Sequence, residues 1–165
     1  IHFDWSTDIF DGYKNKKCFN DVNPGQWYTK YVCYGKDKGW VQGYGNGKLF
    51  KPNQEVSFVE GLKITFKGWG TEYKEDDEPW FKDLVNKAGK KNFIPFDISG
   101  FQNGLRRDQM ADMITRMIKR ENGTSALEAY LGIRADIIVT YDTIKDGLDL
   151  SKLEIETIST SSPAL

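Results

Sequence analysis

The chain has 165 residues, of which 39% are hydrophobic and 28% are charged, a length and composition that predict one globular domain with a buried core. Its net charge of −1 argues against a nucleic-acid-binding protein, because such proteins usually present a basic face. No apolar run approaches the roughly 18 residues that cross a membrane, so no membrane span is predicted in this fragment.

The two ends of the chain carry strand-like patterns. Residues 1–5 alternate apolar and polar side chains, which predicts a short strand. Residues 135–141 are rich in β-branched side chains, and residues 153–158 alternate cleanly. We expect these C-terminal stretches to pair with the N-terminal strand and a short helix to precede them over residues 124–132. Because the chain begins with Ile rather than Met, we also expect a trimmed piece of a longer protein.

A first helix is predicted over residues 26–38, because apolar side chains recur at the spacing of one helical face. Gly39 follows the pattern, and a residue without Cβ takes the left-handed conformation past a helix end at little cost. We expect the tryptophan at the helix start to anchor the core. The apolar face comprises Trp27, Tyr28, Tyr31, Val32 and Gly35.

A run rich in glycine comes next, and a second helix starts beyond it. Residues 40–47 hold too many glycines for a regular element and predict a tight loop. Ser57 precedes Glu60 by three residues, the capping-box pattern in which each side chain bonds the other's backbone amide. The second helix therefore begins near Ser57, and its predicted apolar side comprises Val59, Leu62, Phe66 and Trp69.

Residues 71–123 repeat this skeleton more faintly. Trp80 lies 53 positions after Trp27 and opens the same apolar spacing, and Asn92 stands where Gly39 stood. Asn is the next-best residue for a left-handed helix stop. After a shorter loop, a second amphipathic helix is predicted from Met110, Met113, Ile114, Met117 and Ile118, with Asn122 and Gly123 ending it. A period of about 50 residues indicates two pseudo-symmetric helix-loop-helix units.

Residues 19–70 carry an opening Phe19-Asn20-Asp21-Val22, a helix start with Trp27-Tyr28, and a Gly-Tyr-x-Asn-Gly-x-x-Phe-x-Pro-Asn loop over residues 43–53. In these features they resemble an S-layer homology domain. The family enters its second helix through a Thr-Arg-Ala-Glu-like tetrad, which reads Ser57-Phe58-Val59-Glu60 here. The resemblance is weaker over residues 71–123. It implies a mainly α fold of pseudo-symmetric helix-loop-helix repeats, a helical bundle to which the sequence pattern adds short terminal β-strands.

The resemblance also sets the expected organisation of the chain. We expect one compact domain made of an N-terminal arm (residues 1–17), two repeats (18–70 and 71–123) and a C-terminal part (124–165). The C-terminal part is either a helix followed by strands or a degenerate third repeat.

The resemblance implies an extracellular, non-catalytic anchoring module on the bacterial cell surface. Domains of this family bind secondary cell-wall polysaccharide, and the family's Gly-rich loop and tetrad arginine contribute contacts. In the second repeat, Arg106-Arg107-Asp108-Gln109 keeps that arginine as Arg107. On a loop, an aromatic face can stack on a sugar while amides bind its hydroxyls, and an arginine can pair with a glycan carboxylate. The predicted glycan-binding residues are therefore Trp40, Gly43, Tyr44, Asn46, Gly47 and Arg107.

An assembly module is the alternative interpretation. Phe58 stands where the first repeat's arginine is expected, which favours a fold kept without its sugar site. The terminal strands would then pair with other surface-layer subunits, because unpaired strand edges recruit partners.

The two cysteines, Cys18 and Cys33, are expected to form a disulfide. They meet if the first helix packs back on the segment before it, and an even count fits the oxidising compartment that the resemblance implies. The alternative is two buried thiols.

Catalytic and metal sites are not predicted. His2 is the only histidine, which argues against Ser-His or Cys-His catalysis and against zinc sites. The acidic run at residues 72–78 does not have the spacing of an EF-hand calcium loop. Glu60 and Asp21 could in principle form a glycosidase pair, but capping and turn chemistry explain them. We therefore expect neither a cofactor nor an enzyme.

Overall fold

A computed structural model describes residues 8–75, 78–120, 135–137, 141–145 and 155–157. The described chain is mainly α-helical, as predicted. Its helices are α1 (Asp8–Asp11), α2 (Thr29–Asp37), α3 (Phe58–Trp69), α4 (Lys82–Lys90), α5 (Arg107–Arg120) and α6 (Tyr141–Ile144), and its strands are β1 (Ala135–Ile137) and β2 (Ile155–Thr157).

The two strands pair with each other in an antiparallel sheet, with Ala135 opposite Thr157. The predicted N-terminal strand and the predicted helix over residues 124–132 lie outside the described residues. The strand prediction over 135–141 was wrong at its end, because Tyr141 begins helix α6. There the Tyr141 ring stacks on Phe101 with centroids 5.5 Å apart, and such packing overrides β propensity.

Helix α2 begins at Thr29, later than predicted, and ends where predicted. Gly39 has φ of 74°, and its amide donates to the Lys36 carbonyl at 3.0 Å. The Thr29 hydroxyl donates to the Asn23 carbonyl at 2.6 Å, which ties the start of α2 to the preceding turn. Thr29 can be buried at this helix end because its hydroxyl has a hydrogen-bond partner.

The prediction that Trp27 anchors the core was wrong. Its side chain is 81% exposed, and Tyr31 on the same predicted stripe is 48% exposed. Trp27 precedes the first turn of α2 and packs edge-on against Tyr28, with centroids 5.6 Å apart. Val32 and Gly35 of the predicted stripe are buried, and Thr29 and Cys33 complete the face that α2 buries.

Helix α3 carries the predicted capping box. The Ser57 amide donates to the Glu60 carboxylate at 2.9 Å, and the Glu60 amide donates to the Ser57 hydroxyl at 3.4 Å. These two bonds satisfy donors that a helix start otherwise leaves unpaired. Most of the predicted apolar side of α3 is fully buried, namely Val59, Leu62 and Phe66.

Helices α4 and α5 also follow the predicted pattern. Asn92 adopts φ of 54° just past α4, as expected of a left-handed stop. The Gln109 side chain accepts a hydrogen bond from the Arg106 amide at 3.0 Å, which caps α5. Met113 and Met117 are buried, but Ile118 is 52% exposed, so its assignment to the apolar side was wrong. The predicted helix end at Asn122 lies outside the described residues.

The chain divides into two compact units. The first comprises residues 1–55 with 64–71, and the second comprises residues 56–63 with 72–165. The core of the first unit includes Phe19, Val22, Val32 and Cys33. The second unit contains an aromatic cluster of Phe58, Phe81, Phe101 and Tyr141. None of the helices in the described ranges combines the length and apolar character needed to cross a bilayer.

Candidate functional site

The glycine-rich loop of the first unit, residues 43–53, is closed by one backbone pair. The Tyr44 amide donates to the Leu49 carbonyl at 2.7 Å, and the Leu49 amide donates back at 3.1 Å. Gly43 has φ of 75°, and a Cβ there would lie 2.4 Å from the Phe19 ring. Glycine is therefore required at this position for both reasons. Among the predicted glycan-binding residues, Gly43 therefore sets the backbone path of the loop.

The Asp21 carboxylate holds the far end of this loop. One carboxylate oxygen accepts the Phe50 amide at 2.8 Å, and the other accepts the Lys51 amide at 2.7 Å. Burial alone would raise the pKa of Asp21, but the backbone donors of Phe50 and Lys51 outweigh it and hold the pKa below its usual value. Asp21 therefore acts as an anchor in its charged form, a role that turn chemistry alone did not predict.

Lys36, on helix α2, holds the tip of the loop. Its ammonium donates to the carbonyls of Cys18 and Gly47, the latter at 3.0 Å, and lies 3.8 Å from the centroid of the Phe19 ring. Three interactions on one ammonium fix the loop against the helix. The sequence did not point to Lys36, because its two carbonyl acceptors lie 18 and 11 residues away along the chain.

The predicted disulfide between Cys18 and Cys33 is present, with Cα atoms 5.4 Å apart. The disulfide links the segment that precedes α2 to the middle of that helix. The Cys18 carbonyl is also an acceptor for Lys36. The disulfide and the ammonium therefore support the same corner of the first unit.

The polar surface of the loop is formed around Tyr44. Its hydroxyl accepts a hydrogen bond from the Gln54 side chain at 3.2 Å, and the Lys51 ammonium lies 4.5 Å from its ring centroid. Asn46 is exposed at the loop tip, where φ is 57°. Trp40 is half-buried and packs edge-on against Tyr34, with centroids 5.5 Å apart.

A second aromatic surface lies on the first unit and was not predicted. Phe10 of α1 contacts Tyr31 and Tyr34 of α2 at centroid distances of 5.1 and 5.0 Å. Tyr31 is its most exposed ring, at 48%. Trp27 and Tyr31 lie four residues apart, and this spacing was interpreted as a buried stripe. The spacing places side chains on one helical face but does not show whether that face is buried or exposed.

The two neighbouring arginines at the start of α5 differ in their contacts. Arg106 forms ion pairs with Asp97 and Asp108, and its hydrogen bond to Asp108, followed by that to Asp97, raises its pKa. Arg107 is exposed and makes no hydrogen bond or ion pair with any residue in the described ranges. Arg107 belongs to the second unit, whereas the other predicted glycan-binding residues belong to the first.

Phe58, at the position expected for the first repeat's arginine, belongs to the core. It is 1% exposed and stacks on Phe101. In the second unit, Phe96 is 59% exposed. Neither position supplies a cation. Across the described ranges, no group of three His, Cys, Asp or Glu side chains is arranged to hold a metal ion.

These features agree with a comparison against protein families. Residues 19–58 match the S-layer homology domain. The matched segment contains Asp21, Lys36 and the whole glycine-rich loop, so the family assignment made from the sequence is confirmed there. The repeat predicted over residues 71–123 lies outside the match and stays a prediction. No curated protein and no solved structure matches the chain.

The S-layer homology domain is in general a non-enzymatic module that anchors proteins to the cell wall, and it is typical of bacterial cell-surface or S-layer proteins. This coarse function is therefore the starting point for residues 19–58. The ligand and the contact residues are a matter for proposal.

Proposed function

We propose that this chain is an extracellular module that attaches its parent protein, without covalent bonds or catalysis, to secondary cell-wall polysaccharide of a bacterium. The observation that carries the proposal is the S-layer homology match together with the rigid glycine-rich loop inside it. Lys36 holds the tip of that loop and Asp21 holds its far end, both through backbone groups. A loop fixed in this way loses little entropy when it binds a ligand.

The proposed contacts on the first unit are a sugar-stacking face and hydrogen-bonding groups beside it. Tyr44 and Trp40 supply aromatic faces, and rings of this kind pack against apolar ligand surfaces while their polar atoms stay solvated. Asn46 and the backbone of Gly47 supply amide groups at the loop tip. Lys51, beside the Tyr44 ring, adds a positive charge that suits an acidic glycan.

Arg107 is the proposed anion contact of the second unit. Its guanidinium is exposed and unpaired within the described residues, so binding a glycan carboxylate breaks no existing ion pair. Arg106 is unsuited to this role because its guanidinium already forms ion pairs with Asp97 and Asp108. An unpaired arginine can form a bidentate pair with a carboxylate.

We further propose that residues 71–123 are a divergent second repeat. Support comes from local backbone geometry at the two helix ends. The Gly39 and Trp40 amides donate to Lys36 and Gly35, and 53 positions later the Asn92 and Phe93 amides donate to Gly89 and Ala88. The aromatic pair before each helix is also edge-on, at 5.6 Å for Trp27–Tyr28 and 5.4 Å for Trp80–Phe81.

Co-sedimentation with purified cell-wall sacculi tests the anchoring function. The chain is mixed with sacculi before and after chemical removal of the secondary polysaccharide, and Arg107→Ala is compared with its neighbour variant Arg106→Ala. We expect sedimentation only with the polysaccharide present and a loss for Arg107→Ala that Arg106→Ala does not share. Equal sedimentation with stripped sacculi would contradict glycan anchoring.

Assembly with other surface-layer subunits is the second candidate function. It is favoured by the burial of Phe58 where an anion-binding arginine is expected, and by the exposed Phe96 in place of the second loop. Sedimentation-equilibrium measurements distinguish the two. Self-association without any sacculus binding would support assembly, and a monomer that binds sacculi would support anchoring.

A further inference from the structure

The glycine-rich loop contains an asparagine–glycine pair whose connecting peptide makes no hydrogen bond with the described residues. The Asn46 side chain is exposed and has no partner in the described part of the chain, and the Gly47 amide donates to no described acceptor. Both residues have left-handed backbones, with φ of 57° and 76°. A Cβ placed on the preceding Gly45 would meet nothing within 4 Å, and one placed on Gly47 would lie 3.4 Å from the Gln42 carbonyl oxygen, so the space around the tip is open on the Gly45 side.

A second pair, at residues 103–104, provides a comparison within the same chain. The Asn103 carbonyl accepts the Phe58 amide at 3.0 Å, and the residue after the pair donates its amide to Val56 at 2.8 Å. The Asn103 side chain donates to the Ser99 hydroxyl at 3.2 Å. Both the backbone and the side-chain amide of this pair are therefore held. The third pair, at residues 122–123, lies outside the described residues.

We propose that Asn46 is a site of spontaneous covalent modification, the deamidation of its side chain through a cyclic imide with Gly47. The Gly47 backbone nitrogen gives its proton to water or hydroxide and forms a bond to the Asn46 side-chain carbonyl carbon. The bond from that carbon to Nδ2 breaks, and ammonia leaves with the electron pair and a proton. Water then opens the five-membered imide at either carbonyl, which gives aspartate or isoaspartate.

The geometry favours Asn46 over Asn103 for two physical reasons. Attack requires the side-chain carbonyl carbon to approach the following backbone nitrogen, so the side chain and the peptide must both rotate. At Asn46 neither rotation breaks a hydrogen bond to a described residue, since Lys36 holds the Gly47 carbonyl of the next peptide and not the peptide that joins Asn46 to Gly47. Glycine following the asparagine leaves the nitrogen sterically open. At Asn103 the same rotations break the bonds to Phe58 and Ser99.

The consequence for the loop is a new negative charge and, in isoaspartate, an additional methylene in the main chain. Both changes fall between Tyr44 and Leu49, whose backbone pair closes the loop. If the loop binds glycan as proposed above, the modified protein should bind it more weakly than the fresh protein. This consequence rests on the proposed function, whereas the modification itself does not.

Peptide mapping after incubation in mildly alkaline buffer tests the modification directly. The folded chain is incubated, digested and analysed by mass spectrometry for conversion at Asn46 and Asn103, and the same incubation is repeated in denaturant with the disulfide intact. We expect Asn46 to convert at least roughly tenfold faster than Asn103 in the folded chain, a difference of about 1.4 kcal/mol in barrier. In denaturant the two rates should converge.

Two variants serve as matched controls. Asn46→Gln keeps the amide but needs a six-membered ring, so conversion at residue 46 should be lost while the Asn103 rate is unchanged. Ser99→Ala releases the Asn103 side chain and should raise the Asn103 rate only. Equal folded-state rates at the two sites, or a rate ratio that persists in denaturant, would overturn the proposal. Glycan binding by the modified protein is measured in a separate experiment. If modification does not weaken binding, that result counts against the proposed glycan-binding function and not against the modification of Asn46.

Discussion

The Lys36 ammonium donates a hydrogen bond to the Gly47 carbonyl at 3.0 Å, which joins helix α2 to the tip of the glycine-rich loop. The same ammonium reaches the Cys18 carbonyl and the Phe19 ring. A single side chain thus connects the helix, the disulfide-bonded segment and the proposed binding loop. The stability of the first unit and the order of the loop should therefore depend on it.

Replacing Lys36 by Met keeps the aliphatic stem and removes the charged donor. Hydrogen bonds from charged groups contribute about 1.5–3 kcal/mol each, and two carbonyls lose their donor, so we expect the free energy of unfolding to fall by about 2 kcal/mol or more. Urea denaturation measures it. Lys38→Met is the matched control, because Lys38 is exposed and lies 5.4 Å from the Tyr34 ring. A similar small loss in both variants would contradict the role of Lys36.

Stability should decrease in acid because of Asp21. Its pKa lies below the ordinary value of about 4, so its contribution is fully present above that pH and is lost as the pH falls through the lowered pKa. Asp21→Asn should lower the thermal midpoint at neutral pH and flatten its dependence on pH in this acidic window. The exposed Glu55→Gln in the same unit serves as the control. An unchanged acid slope in Asp21→Asn would exclude this anchor.

The disulfide should stabilise the chain substantially. Cys18 and Cys33 are 15 residues apart, and a loop of that length is worth about 3 kcal/mol in the chain-entropy model. The Cys18→Ser/Cys33→Ser double variant should lose about this free energy of unfolding in denaturant titrations. Adding reductant should then destabilise the wild type but leave the double variant unaffected. A reductant effect on both would point to another cause.

The Ser57 hydroxyl should matter through the capping box alone. Ser57→Ala removes the acceptor of the Glu60 amide, and loss of such a cap costs about 1 kcal/mol. Ser57→Thr retains the hydroxyl and should remain within about 0.5 kcal/mol of the wild type. Circular dichroism during urea unfolding measures both. Equal losses in the two variants would show that packing rather than capping is responsible.

Local features of this fold could be predicted from the sequence, because their cause lies within a few residues. Gly39 and Asn92 stop helices through their own backbone freedom, and Ser57 caps through a partner three residues away. The disulfide was also predictable, since the chain has only two cysteines.

The sequence did not predict as well which face of each helix is buried. The stripe on α2 was read from apolar spacing, but Trp27 lies before the first helical turn and remains exposed. Thr29 is fully buried, and its hydroxyl donates a hydrogen bond to the Asn23 carbonyl. A pattern of hydrophobic residues does not predict such a contact. The anchors Asp21 and Lys36 bind backbone atoms distant in sequence, which no local pattern indicates.

The most direct test of a glycan-binding loop is the affinity for purified secondary cell-wall polysaccharide, measured by calorimetry for the wild type, Tyr44→Phe and Tyr44→Ala. Tyr44→Phe keeps the ring and should bind within about threefold of the wild type, whereas Tyr44→Ala removes the stacking face and should weaken binding roughly tenfold. Wild-type affinity in Tyr44→Ala, with the loop still folded, would contradict the account.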